Sequence, residues 1–145
     1  MNKGKSSADY ELSLQTLKAL HHARCLFNLH PPVPDLHFWF NDQGLLRGEF
    51  ICSGYHQGFD DMVHGGVISA IVDASMTQCL MGHGIIGYTA DFSIKYRKPV
   101  IICRKATLET SVVAITRGLL YAMQCEIVQD RKHVVQATGR FFKVK

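Results

Sequence analysis

Between Val67 and Met81 the chain reads VISAIVDASMTQCLM, and Asp73 is the one charged side chain in the run. An ionised carboxylate buried without partners costs on the order of several kcal/mol, so a segment this apolar needs a reason to carry one. Ser69 and Thr77 lie one helical turn away on either side, and their hydroxyls could satisfy it structurally. The alternative is chemical. A carboxylate in a mostly apolar cleft has raised basicity, and it can attack an electrophilic carbon or take a proton from water.

Just upstream, His64-Gly65-Gly66 places two glycines where a helix is usually opened by a side-chain cap. Glycine lets a ligand or another backbone approach closely, and the free N–H groups of a first helical turn make an electropositive pocket. That pocket suits the oxyanion of a carbonyl under attack, although tight packing explains a glycine pair about as often. Gly65 and Asp73 are eight residues apart, about 12 Å along a helix axis, so they cannot both touch one carbonyl carbon from the same helix. If they form one site, the amide and the carboxylate come from different subunits. A two-fold dimer with antiparallel helices would contain two such sites.

The elements that would hold these groups can be read from periodicity. Residues 8–22 carry Leu12, Leu14, Leu17 and Leu20 at a loose helical spacing, and the stretch His30-Pro31-Pro32-Val33-Pro34 stops that helix. Leu36 to Phe40 and Leu45 to Cys52 read as strands around the Asn41-Asp42-Gln43-Gly44 turn, followed by a loop from Ser53 to Val63. Residues 67–81 predict a helix covered all round, ending at Gly82. Residues 88–97 alternate, with Tyr88, Ala90, Phe92, Ile94 and Tyr96 on one face and Thr89, Asp91, Ser93, Lys95 and Arg97 on the other. Residues 106–115 and 119–128 flank an Arg117-Gly118 turn, with Tyr121, Met123, Cys125 and Ile127 inward; residues 133–142 put Val135, Ala137 and Phe141 inward. The class is α+β, an antiparallel sheet curled around a central helix.

At 145 residues the chain is one domain with a real core, and its composition, 47% hydrophobic and 19% charged, argues against disorder. A net charge of +4 without a Lys/Arg block argues against nucleic acid as the main partner and leaves room for an anionic small molecule. No segment approaches the roughly 18 apolar residues of a membrane span, and Met1 to Gln15 is polar and unlike a signal sequence. Cys25, Cys52, Cys79, Cys103 and Cys125 are scattered, which predicts free buried thiols in a reducing cytosol. The histidines show no metal-ligand spacing, so no metal is expected.

The run His64-Gly65-Gly66-Val67-Ile68-Ser69-Ala70-Ile71-Val72-Asp73-Ala74 resembles the His-Gly-Gly-x5-(Leu/Val)-Asp-x-Ala signature of hotdog-fold thioesterases of the phenylacetate-pathway (PaaI-like) type. Thr89 to Val100 resembles that family's strand ending in Tyr/Phe-x-x-Pro, and Ala137 to Phe142 is similar to its closing strand. The resemblance spans residues 36–145, within a single domain over 1–145 whose first 35 residues form an N-terminal helix and loop.

This resemblance implies a hotdog fold and hydrolysis of a small or medium acyl- or aroyl-CoA thioester, in a homodimer or a dimer of dimers, with CoA as part of the substrate and no further cofactor. By position, Asp73 would be the nucleophile or general base, the Gly65 amide would polarise the carbonyl, and Thr89 would hold the water or the Asp73 carboxylate. His64 would orient the loop. Family members often carry an Asn or Gln in the loop before His-Gly-Gly, and here His56 or Gln57 could substitute. Substrate contacts would come from Gly66, Gln57, Gly58 and Phe59, with Met62, Met76 and Leu80 lining an apolar pocket. Lys95, Arg97 and Lys98 would meet the CoA phosphates, although basic residues at a strand end are often plain solvated surface. Two other functions compete. One is a hydratase or dehydratase of acyl thioesters, which usually needs a His beside the carboxylate, and no position on the helix supplies one. The other is a non-catalytic acyl-CoA-binding protein of the same fold.

Overall fold

The computed structural model describes residues 4–144. The outermost residues of the expected 1–145 domain therefore lie outside the described residues. The chain opens with α1 (Ser7–His21), begun by a capping box in which Ser6 Oγ accepts from the Asp9 N–H and Asp9 Oδ2 accepts from the Ser6 N–H. The Ser6 N–H and the Ser6 hydroxyl, both donating to Asp9 Oδ2, hold the Asp9 carboxyl below its ordinary range. Of the expected apolar stripe, Leu14 is buried, but Leu12 and Leu20 are exposed. Tyr10 takes their place, stacking on Phe40 with ring centroids 5.6 Å apart and meeting the His83 ring at 4.9 Å.

A short α2 (Leu26–Leu29) leads into β1 (His37–Phe40) and β2 (Leu46–Phe50), and then into the loop before α3 (Gly65–Gly82). The remaining strands are β3 (Gly87–Tyr96), β4 (Ala106–Thr116), β5 (Leu120–Gln129) and β6 (Lys132–Lys143). They form one antiparallel six-stranded sheet in the order β1-β2-β4-β5-β6-β3. The turn at Arg117-Gly118 has positive φ at both residues (52° and 65°), the twist that closes a two-residue hairpin. A second such turn, Asp130-Arg131 (51° and 64°), uses no glycine and had no glycine signal to announce it.

The core lies between the sheet and α3. Ile68, Ile71, Val72, Met76 and Leu80 of the helix are sealed against Phe50, Leu108, Met123, Ile127, Val135 and Phe141 of the strands, as the inward set in β5 and β6 predicts. An antiparallel sheet folded around one apolar helix is the hotdog architecture. As expected, α3 ends at Gly82, where an added Cβ would lie 2.2 Å from the Phe40 ring; the left-handed residue that closes the helix is Gly84 (φ +80°). There Gly84 N–H bonds Met81 O and Ile85 N–H bonds Leu80 O, a Schellman closure. Contrary to expectation, α3 is not covered all round. Gly66 is exposed, and Ser69, Ala70, Asp73 and Thr77, one stripe at helical spacing, are only half-buried.

Strand β3 is the sheet's long edge, and most of its residues are exposed. Its alternation breaks where the register with β6 shifts between Thr89 and Asp91, making Ala90 the extra residue of a bulge. Among the described residues, no helix is long and apolar enough to cross a membrane.

Candidate active site

The bulge at Ala90 decides which β3 side chains reach α3. Thr89 pairs across the ladder with Phe141, which is buried on the helix side, whereas Asp91 pairs with Arg140 on the outer face. Thr89 therefore faces inward and donates a 2.7 Å hydrogen bond from Oγ1 to Asp73 Oδ1. Asp91 faces outward in a bidentate ion pair with Arg140, which holds its carboxyl below the usual carboxylate range. Strict alternation would put Thr89 and Asp91 on one face, so that expectation is corrected.

Asp73 is half-buried at a cleft of about 620 Å³ lined by Leu17, His22, Thr77, Met81, Ile86 and Thr89, among others. Neither hydroxyl expected to satisfy it does so. Ser69 is committed to Gly65 O at 3.0 Å and to the Tyr96 hydroxyl at 2.8 Å, and the carboxylate's side-chain partner is Thr89 rather than Thr77.

The entrance of α3 is better capped than its glycines suggest. His64 is the N-cap, and its Nδ1 accepts from the Gly66 N–H at 2.8 Å, which puts the ring proton on Nε2. The Gly66 N–H is thus already used, and the donor left at the helix entrance is the Gly65 N–H, which meets no acceptor among the described residues. A Cβ added at Gly65 would sit 3.6 Å from the Tyr96 hydroxyl, an ordinary contact. Packing within the chain therefore does not demand glycine there.

Gly65 opens on a second, mostly apolar cleft of about 560 Å³, bounded by Gly58, Phe59, Met62, Ile68, Tyr96 and the segment Arg97 to Val100. This cleft and the Asp73 cleft share no lining residue. Its walls are stitched together: Val63 N–H bonds Val100 O at 2.8 Å, and Gln129 clamps Ile101 through both backbone groups. Met76 and Leu80, expected to line a pocket, are sealed in the core instead.

The remaining predicted residues divide. His56 spends both ring nitrogens on the backbone, Nδ1 accepting from Ser53 N–H at 2.9 Å and Nε2 donating to Pro32 O at 2.6 Å. That leaves it no nitrogen for a thioester, and it serves to brace the loop. Gln57 is exposed and accepts from Asp61 N–H through Oε1. Arg97 and Lys98 border the Gly65 cleft, with the Arg97 guanidinium steadied by Gln136 Oε1. Lys95 does not join them. It stands on the outer face beside Ser93, Gln124 and Glu126.

Two residues carry weight that pattern reading passed over. Tyr96 donates to Gly65 O at 2.9 Å and meets Ser69, tying the end of β3 to the start of α3; the Tyr-x-x-Pro spacing was its only signal. His22, just past the end of α1, lines the Asp73 cleft. A histidine therefore does stand near Asp73, supplied by the N-terminal segment and not by α3. Among the described residues, no three His, Cys, Asp or Glu side chains group as metal ligands.

A 91-residue segment is 25% identical to a bovine (Bos taurus) acyl-coenzyme A thioesterase, THEM4, covering 62% of this chain and 37% of that protein. The chain thus spans little more than a third of that relative's length. Its fold is similar to that of the E. coli PaaI protein from the phenylacetic acid degradation operon, with a TM-score of 0.78 at 15% identity over 96% of both chains. It is also similar to a hypothetical thioesterase from Streptococcus pneumoniae solved with coenzyme A, with a TM-score of 0.71 at 19% identity over 77% of this chain and 90% of that one. That streptococcal protein has also been solved with an aspartate replaced by alanine and with a threonine sixteen positions further on replaced by alanine. The family model for the thioesterase superfamily matches residues 61–136, a segment holding Gly65, Asp73, Thr89 and Tyr96, and the chain belongs to that superfamily.

Proposed function

We propose that the chain hydrolyses an acyl- or aroyl-CoA thioester to the free acid and CoA, at sites shared between the subunits of a homo-oligomer. The observation that carries this reading is the Asp73 carboxylate, held by Thr89 on the half-covered stripe of a largely buried helix. The sixteen-residue interval between Asp73 and Thr89 matches that between the aspartate and threonine replaced in the streptococcal thioesterase. The oligomer is supported by the exposed β3 edge, and by the separation of Asp73 and the free Gly65 N–H into two clefts of one chain.

The chemistry runs as follows. Asp73 either takes a proton from water as it attacks the thioester carbon or attacks that carbon itself. The Gly65 N–H of the neighbouring subunit donates to the carbonyl oxygen as negative charge develops. The C–S bond then breaks, its electron pair leaves on sulfur, and CoA departs as the thiolate. If Asp73 attacked directly, water next hydrolyses the acyl–Asp73 anhydride. Arg97 and Lys98 at the mouth of the Gly65 cleft supply positive charge for the CoA phosphates.

The test is release of free CoA from short, long and aromatic acyl-CoAs. Turnover on any of them supports the reading, and tight binding with no thiol release across the panel would instead mark a non-catalytic acyl-CoA-binding protein. His22 near Asp73 favours one further reading, hydration of an enoyl thioester, because a carboxylate with a nearby imidazole is the pair that reaction uses. Hydration of crotonyl-CoA without thiol release would establish it.

A further inference from the structure

His22 is the one residue among those described whose side-chain nitrogen is buried with no hydrogen-bond partner. The atom is Nδ1, and it is sealed although the residue as a whole is half-buried. His22 nevertheless lines the Asp73 cleft, and Nε2, on the other edge of its ring, is not sealed in this way. The backbone around it is fixed. The His22 N–H bonds Lys18 O at 2.9 Å, and the His22 carbonyl accepts from Asn28 Nδ2 at 2.8 Å and from the Cys25 N–H at 3.1 Å. His22 also lies outside residues 61–136, so the superfamily match assigns it no role.

These facts select one state of the ring. A doubly protonated imidazole would need an acceptor for Nδ1–H in a place that has none, and an unmade bond to a buried donor costs about 1–3 kcal/mol, more for a charged group. The neutral form protonated on Nε2 leaves only a lone pair unpaired at Nδ1, and it keeps the N–H on the unsealed edge of the ring. Burial and the neighbouring Lys18 both hold the imidazole below its ordinary value, while Asp73 acts in the opposite sense. The other titratable groups facing the cleft are His21, Tyr88 and Lys143, besides Asp73 itself.

Building on the thioesterase reading, we propose that His22 is a positioning residue for Asp73: its Nε2–H, through a bridging water, steadies the carboxylate oxygen that Thr89 does not hold. Thr89 binds Oδ1 directly, and Oδ2 has no direct side-chain partner among the described residues. A neutral N–H donor suits this duty, because an imidazolium would draw the carboxylate into an ion pair and blunt it as a base. The N-terminal segment thereby gains a role in catalysis beyond covering the core.

The test uses the full-length protein and two readouts. In the first, kcat and KM for CoA release are measured for His22→Ala and His22→Gln. The side-chain amide of glutamine can replace the N–H donor without titrating. The proposal expects His22→Ala to lose about tenfold or more in kcat with little change in KM, and His22→Gln to recover most of it. Unchanged kcat in a folded His22→Ala protein overturns the role, and so does a loss that His22→Gln fails to relieve. In the second readout, nitrogen-15 NMR of the imidazole needs no turnover. It should show the Nε2–H tautomer, titrating below the ordinary histidine value and lower still in Asp73→Asn. An Nδ1–H tautomer would overturn the proposal. A wild-type protein that releases no CoA would sink the thioesterase reading and this role together, whereas active wild type with active His22→Ala sinks the role alone.

Discussion

Thr89 and Tyr96 lie seven residues apart on β3, yet both hydrogen-bond to α3, Thr89 to Asp73 at 2.7 Å and Tyr96 to Gly65 O at 2.9 Å. An uninterrupted strand would aim residues an odd number apart at opposite faces. The bulge at Ala90 reconciles them, so one edge strand grips both ends of the site-bearing half of the helix.

Thr89→Val removes the hydroxyl that orients Asp73 while keeping the side chain's shape. A hydrogen bond to a charged group contributes about 1.5–3 kcal/mol, so kcat should fall about 10- to 100-fold. Thr89→Ser should retain most of the rate. Steady-state CoA release with circular dichroism as a folding control distinguishes the cases, and wild-type turnover by Thr89→Val would deny the contact any part in the reaction.

Gly65→Ala makes a sharper demand. The added methyl meets only ordinary contact inside the chain, so thermal stability should hold or rise slightly. Activity should nevertheless collapse if a thioester carbonyl must approach that amide. Mixing Gly65→Ala with Asp73→Asn subunits should restore turnover, because one of the two sites in a mixed dimer would have both wild-type parts. No recovery after verified subunit exchange would argue that amide and carboxylate act within one chain.

The thiols divide by burial. Sequence alone predicts five buried cysteines, but Cys103 is exposed and Cys25 half-buried. Burial pushes the Cys52 thiol up to about 11 and the Cys79 thiol up to about 12, and raises Cys125 as well. A disulfide reagent at pH 8 should therefore modify Cys103 rapidly, Cys25 more slowly, and the other three only after denaturation. Mass spectrometry of the tagged peptides checks the order.

Acid should weaken the fold in two stages. The folded state holds His22 below its ordinary value of 6.5, so below that pH the unfolded chain binds the extra proton first and stability declines toward the folded value. Asp91, lowered from 3.8 by Arg140, contributes stability that is present above 3.8 and lost as pH falls through its folded value. Because that pair is exposed to solvent, its share should be small. Urea melts across this pH range should show the upper slope abolished in His22→Gln and the lower one reduced in Asp91→Asn.

The sequence made the frame legible because periodicity and one misfit charge are local signals. The inward sets of β5 and β6 follow from alternation, and Asp73 stood out against its apolar neighbours. What escaped detection depends on tertiary contact. The bulge at Ala90 has no residue signature, since alanine fits a bulge as well as a regular strand. The cap by His64 hid behind two glycines, and although α3 does stop at Gly82, nothing local showed that the Phe40 ring also excludes a side chain there. His22 shares a cleft with Asp73 only because α1 packs on α3, across fifty-one residues of chain that no local pattern connects.

Free CoA release by purified Asp73→Ala, with fold and oligomeric state verified, bears most directly on the chemistry proposed. Turnover should vanish across the acyl-CoA panel while stability and assembly persist. Activity retained by that protein on the substrates wild type hydrolyses would contradict Asp73 as the reacting carboxylate.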